Sequence, residues 1–514
     1  MKLHKIFNLL LVFCFVIGIS IPIIFVNKEP GKISTAENRV LASFPSLKKN
    51  SSYNRNFVSE FESWFNDNLG FRNELVAANT VFQYNLFGKI TRPDTVLGKN
   101  DWLYLMYPEM IKSYQNMNPL TDERYSQIAE KFIGLKKYFD VKDIPFITMV
   151  NPDKETIYPE NMPDTYLRKD NETKVDTIVK NLSEKDNIDI FYTKDSLLRS
   201  KKDATLYSQN YDLSHWNSYG AFIAYLELMN KIKEYQPGVK ILSFNDFSVE
   251  PYIRESKLYG VLPFKETDYK FTYKKTYSAT QETGSFDDLN LISNNLAFKY
   301  VNKTNDKLPK LLIIGDSYIY SFMLNNIAES FSEVNFVHWF NMGSVKGLVN
   351  IYKPDLILLE FMEPALEQFT DSISYPDGYF NEYEAYKDLP VVASQDGSMW
   401  LDTVNKKLVE SQTGIILEKE DQFFKLTGWA LDKNAGKTAA DVYLKINDKY
   451  YNGYYGIGRS SVSDYFGNPQ LINSGFTFNI NKDDIINANK VSLVIVSNDR
   501  SYQYAPIDIN INWK

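Results

Sequence analysis

The chain has 514 residues, 44% of them hydrophobic and 24% charged, and a net charge of −7. This length predicts two or three domains rather than one, and the balance excludes global disorder and a polytopic membrane protein. The acidic charge argues against a nucleic-acid partner, the single cysteine excludes an internal disulfide framework, and three histidines leave little room for a histidine metal cluster.

Lys2, His4 and Lys5 precede an apolar stretch over residues 6–26, interrupted by Asn8. Its length is close to the roughly 20 residues that cross a bilayer as a helix. The lysines ahead of it put the N-terminus in the cytoplasm and the rest of the chain outside. A cleaved signal peptide is the competing reading. No clear small-x-small cleavage site precedes Asn27, which favours an uncleaved single-pass anchor over residues 1–28. Cys14 lies inside this run behind Phe13, where a lipoprotein anchor would need a small residue.

Residues 29–94 read as a connector followed by helices. Phe57, Phe61, Trp64 and Phe65 recur at helical spacing, which predicts a core-facing stripe. Strand-like runs follow over residues 101–107, 145–150 and 188–191, separated by helical stretches over 125–138 and 174–185. Three more apolar runs cover 310–314, 335–340 and 355–360. Strands alternating with helices predict a mostly parallel sheet covered on both faces, over residues 95–387. Residues 388–410 read as a linker. From residue 411 to 514 short strands alternate with turns such as Asn447-Asp448 and Asn452-Gly453, which predicts an antiparallel β-sandwich.

The sharpest motif is Leu311-Leu312-Ile313-Ile314-Gly315-Asp316-Ser317-Tyr318. A buried strand running into a helix sets Ser317 at the C-terminal edge of the sheet, where ligands bind in open α/β folds. Backbone N–H groups of Ser317 and Tyr318 at the helix start could stabilise an oxyanion. The simpler alternative is that Asp316 or Ser317 merely caps the helix. Asp212-Leu213-Ser214-His215-Trp216 supplies a candidate base. A serine hydroxyl needs a base to become a nucleophile, and a carboxylate fixes the histidine tautomer. Asp212, three residues ahead, can meet His215 across one turn; a structural histidine beside Trp216 is the alternative. His338, among bulky neighbours without a nearby carboxylate, reads as a packing histidine.

Gly315-Asp316-Ser317 resembles the nucleophile block of SGNH hydrolases, and Asp212-x-x-His215 resembles their Asp/His block. The Asp/His block here precedes the serine, an inverted order similar to the SGNH-like domain of alginate O-acetyltransferases and their cell-wall relatives. Glu37-Asn38-Arg39-x-Leu41 with Phe44-Pro45 resembles that family's N-terminal signature. So do Asp67, Gly70, Phe71 and Arg72, then Val96-Leu97-Gly98-Lys99 with Trp102-Leu103-Tyr104, and Lys154 with Tyr158-Pro159. The resemblance spans roughly residues 37–363. It implies an α/β, flavodoxin-like fold with permuted motif order. One departure is local: these relatives carry Asp two residues before His, where Leu213 stands here. Either Asp212 takes over with a small local change or another carboxylate orients His215. SGNH enzymes also use a Gly-x-x-Asn block for the oxyanion; Gly347-Leu348-Val349-Asn350 has that spacing, and Asn341 is a second candidate.

In the last hundred residues, Trp429, Tyr454, Tyr455 and Arg459 are candidates for stacking on or hydrogen bonding to sugar, as is Trp216 beside the base. The alternative for the aromatics is core packing. The resemblance implies an extracytoplasmic O-acetyltransferase acting on an exopolysaccharide or cell-wall glycan. Ser317 would be the nucleophile, His215 the base and Asp212 its orienter. It also implies a membrane-bound acyltransferase partner supplying acetyl; the residues themselves imply no metal or cofactor. An acetyl esterase using the same triad and a non-catalytic glycan-binding protein are the alternatives.

Overall fold

The computed structural model describes residues 2–29, 33–34, 39–49, 52–92, 94–169, 172–258, 261–286, 289, 291–373, 386–421 and 423–514. Glu37 and Asn38 of the N-terminal block lie outside the described residues.

Helix α1 (Lys2–Ile24) is long and apolar enough to cross a membrane and buries none of its apolar stretch in the protein. Its end rests on the turn between α2 (Phe57–Asn68) and α3 (Arg72–Phe87). Gly70 sits in that turn and donates its N–H to Pro22 O at 3.0 Å. A Cβ on Gly70 would stand 2.6 Å from Phe25 O, so only glycine permits the approach. The aromatic stripe of α2 is not a domain core. Phe61 and Trp64 pack edge-on against Phe44, and Phe61 remains 38% exposed. The period is helical, and among the described residues the stripe meets the connector at Phe44.

The central layer is a seven-stranded sheet. Its strands are β1 (Phe146–Asn151), β2 (Ile190–Tyr192), β5 (Ala279–Glu282), β6 (Phe298–Asn302), β7 (Lys310–Gly315), β8 (Glu333–His338) and β9 (Leu356–Met362). Their order is β5-β6-β8-β7-β9-β1-β2. The five strands from β8 to β2 run parallel, and β6 and β5 add an antiparallel edge. Alternation along β7 explains its double burial. Leu311 and Ile313 face one core with helix α6 (Ser218–Tyr235), whereas Leu312 and Ile314 face a second. That second core holds α4 (Asp122–Val141), α5 (Lys174–Glu184) and α8 (Val345–Tyr352). Parallel central strands need apolar side chains on both faces, which is why these segments read as continuous hydrophobic runs. The run over residues 101–107 differs: Leu103–Leu105 pairs with Thr95–Leu97 in a separate two-stranded hairpin.

A long hairpin leaves this layer between α6 and β5. Strands β3 (Phe247–Leu258) and β4 (Leu262–Tyr273) pair along their whole length, from Phe247↔Tyr273 to Leu258↔Leu262.

The C-terminal region is two facing sheets. One contains β10 (Met399–Val404), β11 (Phe423–Asp432), β14 (Tyr454–Ile457) and β15 (Gly475–Asn481). The other contains β12 (Asp441–Ile446), β13 (Lys449–Asn452), β16 (Lys490–Val496) and β17 (Ile507–Trp513). Phe424, Leu426, Phe478, Leu444, Val491 and Leu493 fill the space between them. Pairing is mainly antiparallel. Residues 388–410 are not a free linker: Val391–Val392 pairs with Gln503–Tyr504, and β10 pairs with β11. The segment lacks long apolar runs because it supplies edge strands.

Candidate active site

Three parallel strands end together, at Asn151 on β1, Gly315 on β7 and Met362 on β9. Gly315 is required there, because a Cβ would lie 2.6 Å from Glu360 Oε2. Asp316 then caps the single turn α7 (Ser317–Tyr320), with Oδ1 accepting from Tyr318 N at 2.9 Å. Its Oδ2 accepts from Met362 N at 2.8 Å, and its own N–H donates to Glu360 Oε2 at 2.9 Å. Glu360 Oε1 accepts from Asn151 Nδ2 at 2.6 Å. Asp316 and Glu360 are fully sequestered, and burial pushes both carboxyls above their ordinary range. This buried carboxyl pair joins the three strand ends beneath Ser317.

Ser317 Oγ lies 2.7 Å from His215 Nε2. The other ring nitrogen, Nδ1, lies 3.0 Å from both Asp212 Oδ1 and Asp212 Oδ2. Asp212 Oδ1 also accepts from the backbone N–H groups of Ser214 and His215, each at 2.9 Å. The carboxylate thus folds back over its own turn and meets the ring three residues on. Burial raises the Asp212 pKa, but hydrogen bonds and charge from His215 outweigh it and hold the carboxyl well below its usual range. The departure at Leu213 is thereby resolved geometrically: Leu213 turns into the cluster of Leu103, Leu262 and Phe264.

The loop carrying Asp212 is held from two sides. Lys154, fully buried, donates from Nζ to Asp212 O at 2.6 Å and Leu103 O at 2.9 Å. Burial brings its pKa down to about 8. From the hairpin, Glu266 accepts from Ser208 Oγ at 2.9 Å, Asn210 N at 2.8 Å and Tyr211 N at 3.2 Å. Ser208 Oγ in turn accepts from Asp212 N at 2.8 Å. Glu266, Tyr320 and Phe322 were not among the sequence candidates. Tyr320 ends the α7 turn that Ser317 begins, and the Phe322 ring centre is 6.0 Å from that of His215. Tyr320 lies three residues after Ser317, a helical spacing that could have flagged it.

Several candidates are placed elsewhere. The Tyr318 N–H is consumed by the Asp316 cap, so it cannot serve an oxyanion. The Ser317 N–H opens the helix and has no hydrogen-bond partner among the described residues. Asn341 is also occupied: its Nδ2 donates to Ile292 O and His338 O, and its Oδ1 accepts from Ile292 N. Asn350 donates to Gly453 O at 3.1 Å, and Gly347 packs against Tyr454, with 2.2 Å from its would-be Cβ to Tyr454 Cδ2. These two residues lie in the contact between the α/β domain and the sandwich, with the Lys346–Asp441 ion pair and the hydrogen bond from Asn479 Nδ2 to Ile351 O. His338 is buried, accepts from Phe340 N at 3.3 Å, and burial lowers its pKa to about 4.

The sugar-stacking candidates are engaged within the protein. Trp216 is 1% exposed and donates from Nε1 to Tyr318 O at 3.2 Å. Tyr454 is buried against α8 with its hydroxyl on Ser344 Oγ at 2.6 Å. The Tyr455 hydroxyl donates to Ala430 O and accepts from Ala439 N. Trp429 packs on Leu431, Val462 and Leu471, and Arg459 is paired with Asp402 at 2.9 Å. Trp216 packs in the α/β core, and Trp429, Tyr454 and Tyr455 pack within the sandwich or on its contact with α8. Among the described residues, no group of three or more His, Cys, Asp or Glu side chains is arranged to hold a metal ion.

Residues 95–319 match a family described as the SGNH hydrolase-like domain of the acetyltransferase AlgX. The matched segment contains Asp212, His215 and Ser317. No curated protein matches the chain. Among solved structures, PatB1 of Bacillus cereus aligns at 12% identity over 55% of this chain and 100% of its own, with a TM-score of 0.42. The O-acetyltransferase domain of Pseudomonas putida AlgJ aligns at 16% identity over 56% and 98%, TM-score 0.36. Pseudomonas aeruginosa AlgX aligns at 10% identity over 80% and 90%, TM-score 0.34.

Proposed function

We propose, from the match of residues 95–319 to the family described as the SGNH hydrolase-like domain of the acetyltransferase AlgX, that the chain transfers acetyl through Ser317 to a glycan hydroxyl. The observation that carries the proposal is the continuous contact from Ser317 Oγ to His215 Nε2 at 2.7 Å and from His215 Nδ1 to Asp212 at 3.0 Å. His215 accepts the Ser317 proton as the hydroxyl attacks the carbonyl carbon of an acetyl donor. The Ser317 N–H stabilises the oxyanion. His215 then returns the proton to the leaving group, and acetyl remains on Ser317. An incoming hydroxyl reverses these steps: His215 takes its proton, its oxygen bonds the acetyl carbon, and Ser317 leaves with the proton.

In this proposal α1 anchors the domain outside the cytoplasmic membrane, a membrane-bound acyltransferase supplies acetyl, and the acceptor is an exopolysaccharide or cell-wall glycan. The permuted order of the Asp/His and Ser blocks belongs to the same reading. Acetyl release from a chromogenic acetyl ester, measured with and without glycan acceptor, tests it. Acetylated glycan is expected with wild type and none with Ser317→Ala. If water is the sole acceptor, the protein is an esterase. If Ser317→Ala leaves cellular glycan acetylation unchanged, the protein is not the enzyme.

A further inference from the structure

A groove of about 370 Å³ lies beside the triad, between the β3–β4 hairpin, the start of α6 and the segment following α7. Ser218, three residues after His215, and Ser321, four after Ser317, both line it. Phe322 forms the shared wall, lining the groove while its ring centre stands 6.0 Å from that of His215. Tyr252, Tyr269 and Tyr277 come from the hairpin and the chain just after it. They are held in place: the Tyr277 hydroxyl donates to Asn326 Oδ1 at 2.7 Å, and the Tyr252 hydroxyl donates to Asp268 at 3.1 Å. Tyr269 packs on Tyr219 with ring centres 5.1 Å apart.

We propose that this groove binds a pyranose unit of the acceptor glycan and presents its hydroxyl to His215. The inference rests on the transferase reading above and names the site where its acceptor lies. Aromatic walls offer flat apolar faces that stack on the C–H face of a sugar ring, and hydroxyl and amide groups between them match its hydroxyls. The lining is mostly aromatic, hydroxyl and amide groups with a single cation, Lys270, a composition that a neutral or N-acetylated ring can meet through its C–H face and hydroxyls. The volume falls in the range of small-ligand sites and accepts a ring or two. Position supplies the chemistry. The acceptor hydroxyl must reach His215, and Phe322 borders both the groove and the His215 ring.

Binding of chitotetraose and cellotetraose to full-length Ser317→Ala, followed by calorimetry, tests the groove without turnover. Binding is expected, with at least a tenfold weaker Kd when Ser321→Trp fills the groove or Tyr252→Ala removes an exposed wall. Both added substitutions are at exposed positions, and unchanged thermal unfolding shows that they fold. No binding of either oligosaccharide, or equal binding by the groove variants, overturns the proposal. Groove-dependent binding without acetyl transfer by the wild type would instead sink the transferase reading and leave the groove standing.

Discussion

Asp212 meets His215 twice, through the backbone N–H at 2.9 Å and through ring Nδ1 at 3.0 Å. One carboxylate therefore sets both the turn and the tautomer. The second ring nitrogen is left as an acceptor facing Ser317 Oγ. This arrangement puts the carboxylate against His215 from the residue before Leu213, while Leu213 itself faces Leu103, Leu262 and Phe264.

Replacing Asp212 by Asn removes the charge that stabilises protonated His215 and favours the wrong tautomer. Ester turnover should fall roughly 10²–10⁴-fold. Steady-state kinetics on a chromogenic acetyl ester, with circular dichroism as a folding control, check this. Unchanged turnover would assign the orienter elsewhere.

Leu213→Asp should not rescue Asp212→Ala. Its side chain faces Leu103, Leu262 and Phe264, so a carboxyl there costs about 1–3 kcal/mol of stability without reaching His215. Thermal unfolding and ester turnover of the double variant measure both effects.

Lys154→Met leaves the carbonyls of Asp212 and Leu103 without their donor. The loss should be roughly 1–3 kcal/mol for each unsatisfied group, with a fall in kcat because the Asp212 loop loosens. Denaturant unfolding and kinetics test this together.

Burial holds the folded pKa of His338 at about 4 against an ordinary 6.5. The unfolded chain binds more protons between these values. Stability is thus complete above 6.5 and declines as pH falls toward about 4, by at most about 1.4 kcal/mol per pH unit. Asn at this position keeps a side-chain acceptor for the Phe340 N–H and does not titrate. His338→Asn should flatten the stability profile in that window, as read by urea unfolding at several pH values.

The central sheet and the site were legible where one local cause dominates. Residues 311–314 are uniformly apolar because β7 is buried on both faces there, and Glu360 crowds the glycine behind them. Asp212 and His215 were legible because the turn between them is local. The β3–β4 hairpin was not. Along β4, Leu262 and Phe264 alternate with exposed residues, but Glu266 and Asp268 continue the same buried face. Two inward charges break the apolar period that announces a strand. Those charges have partners that sequence does not reveal: Glu266 holds Ser208 and the Asp212 loop, and Asp268 pairs with Arg254. Aromatic content alone does not separate an open platform from a filled interface. Trp216 and Tyr454 are both buried.

The most direct test of the account is the covalent intermediate. Rapid quenching of wild-type protein with a chromogenic acetyl ester, followed by peptide mass spectrometry, locates the acyl group. The account predicts one acetyl on the peptide containing Ser317, lost in Ser317→Ala and turned over when glycan acceptor is added. Ester turnover with acetyl on no residue, or on a residue other than Ser317, would contradict it.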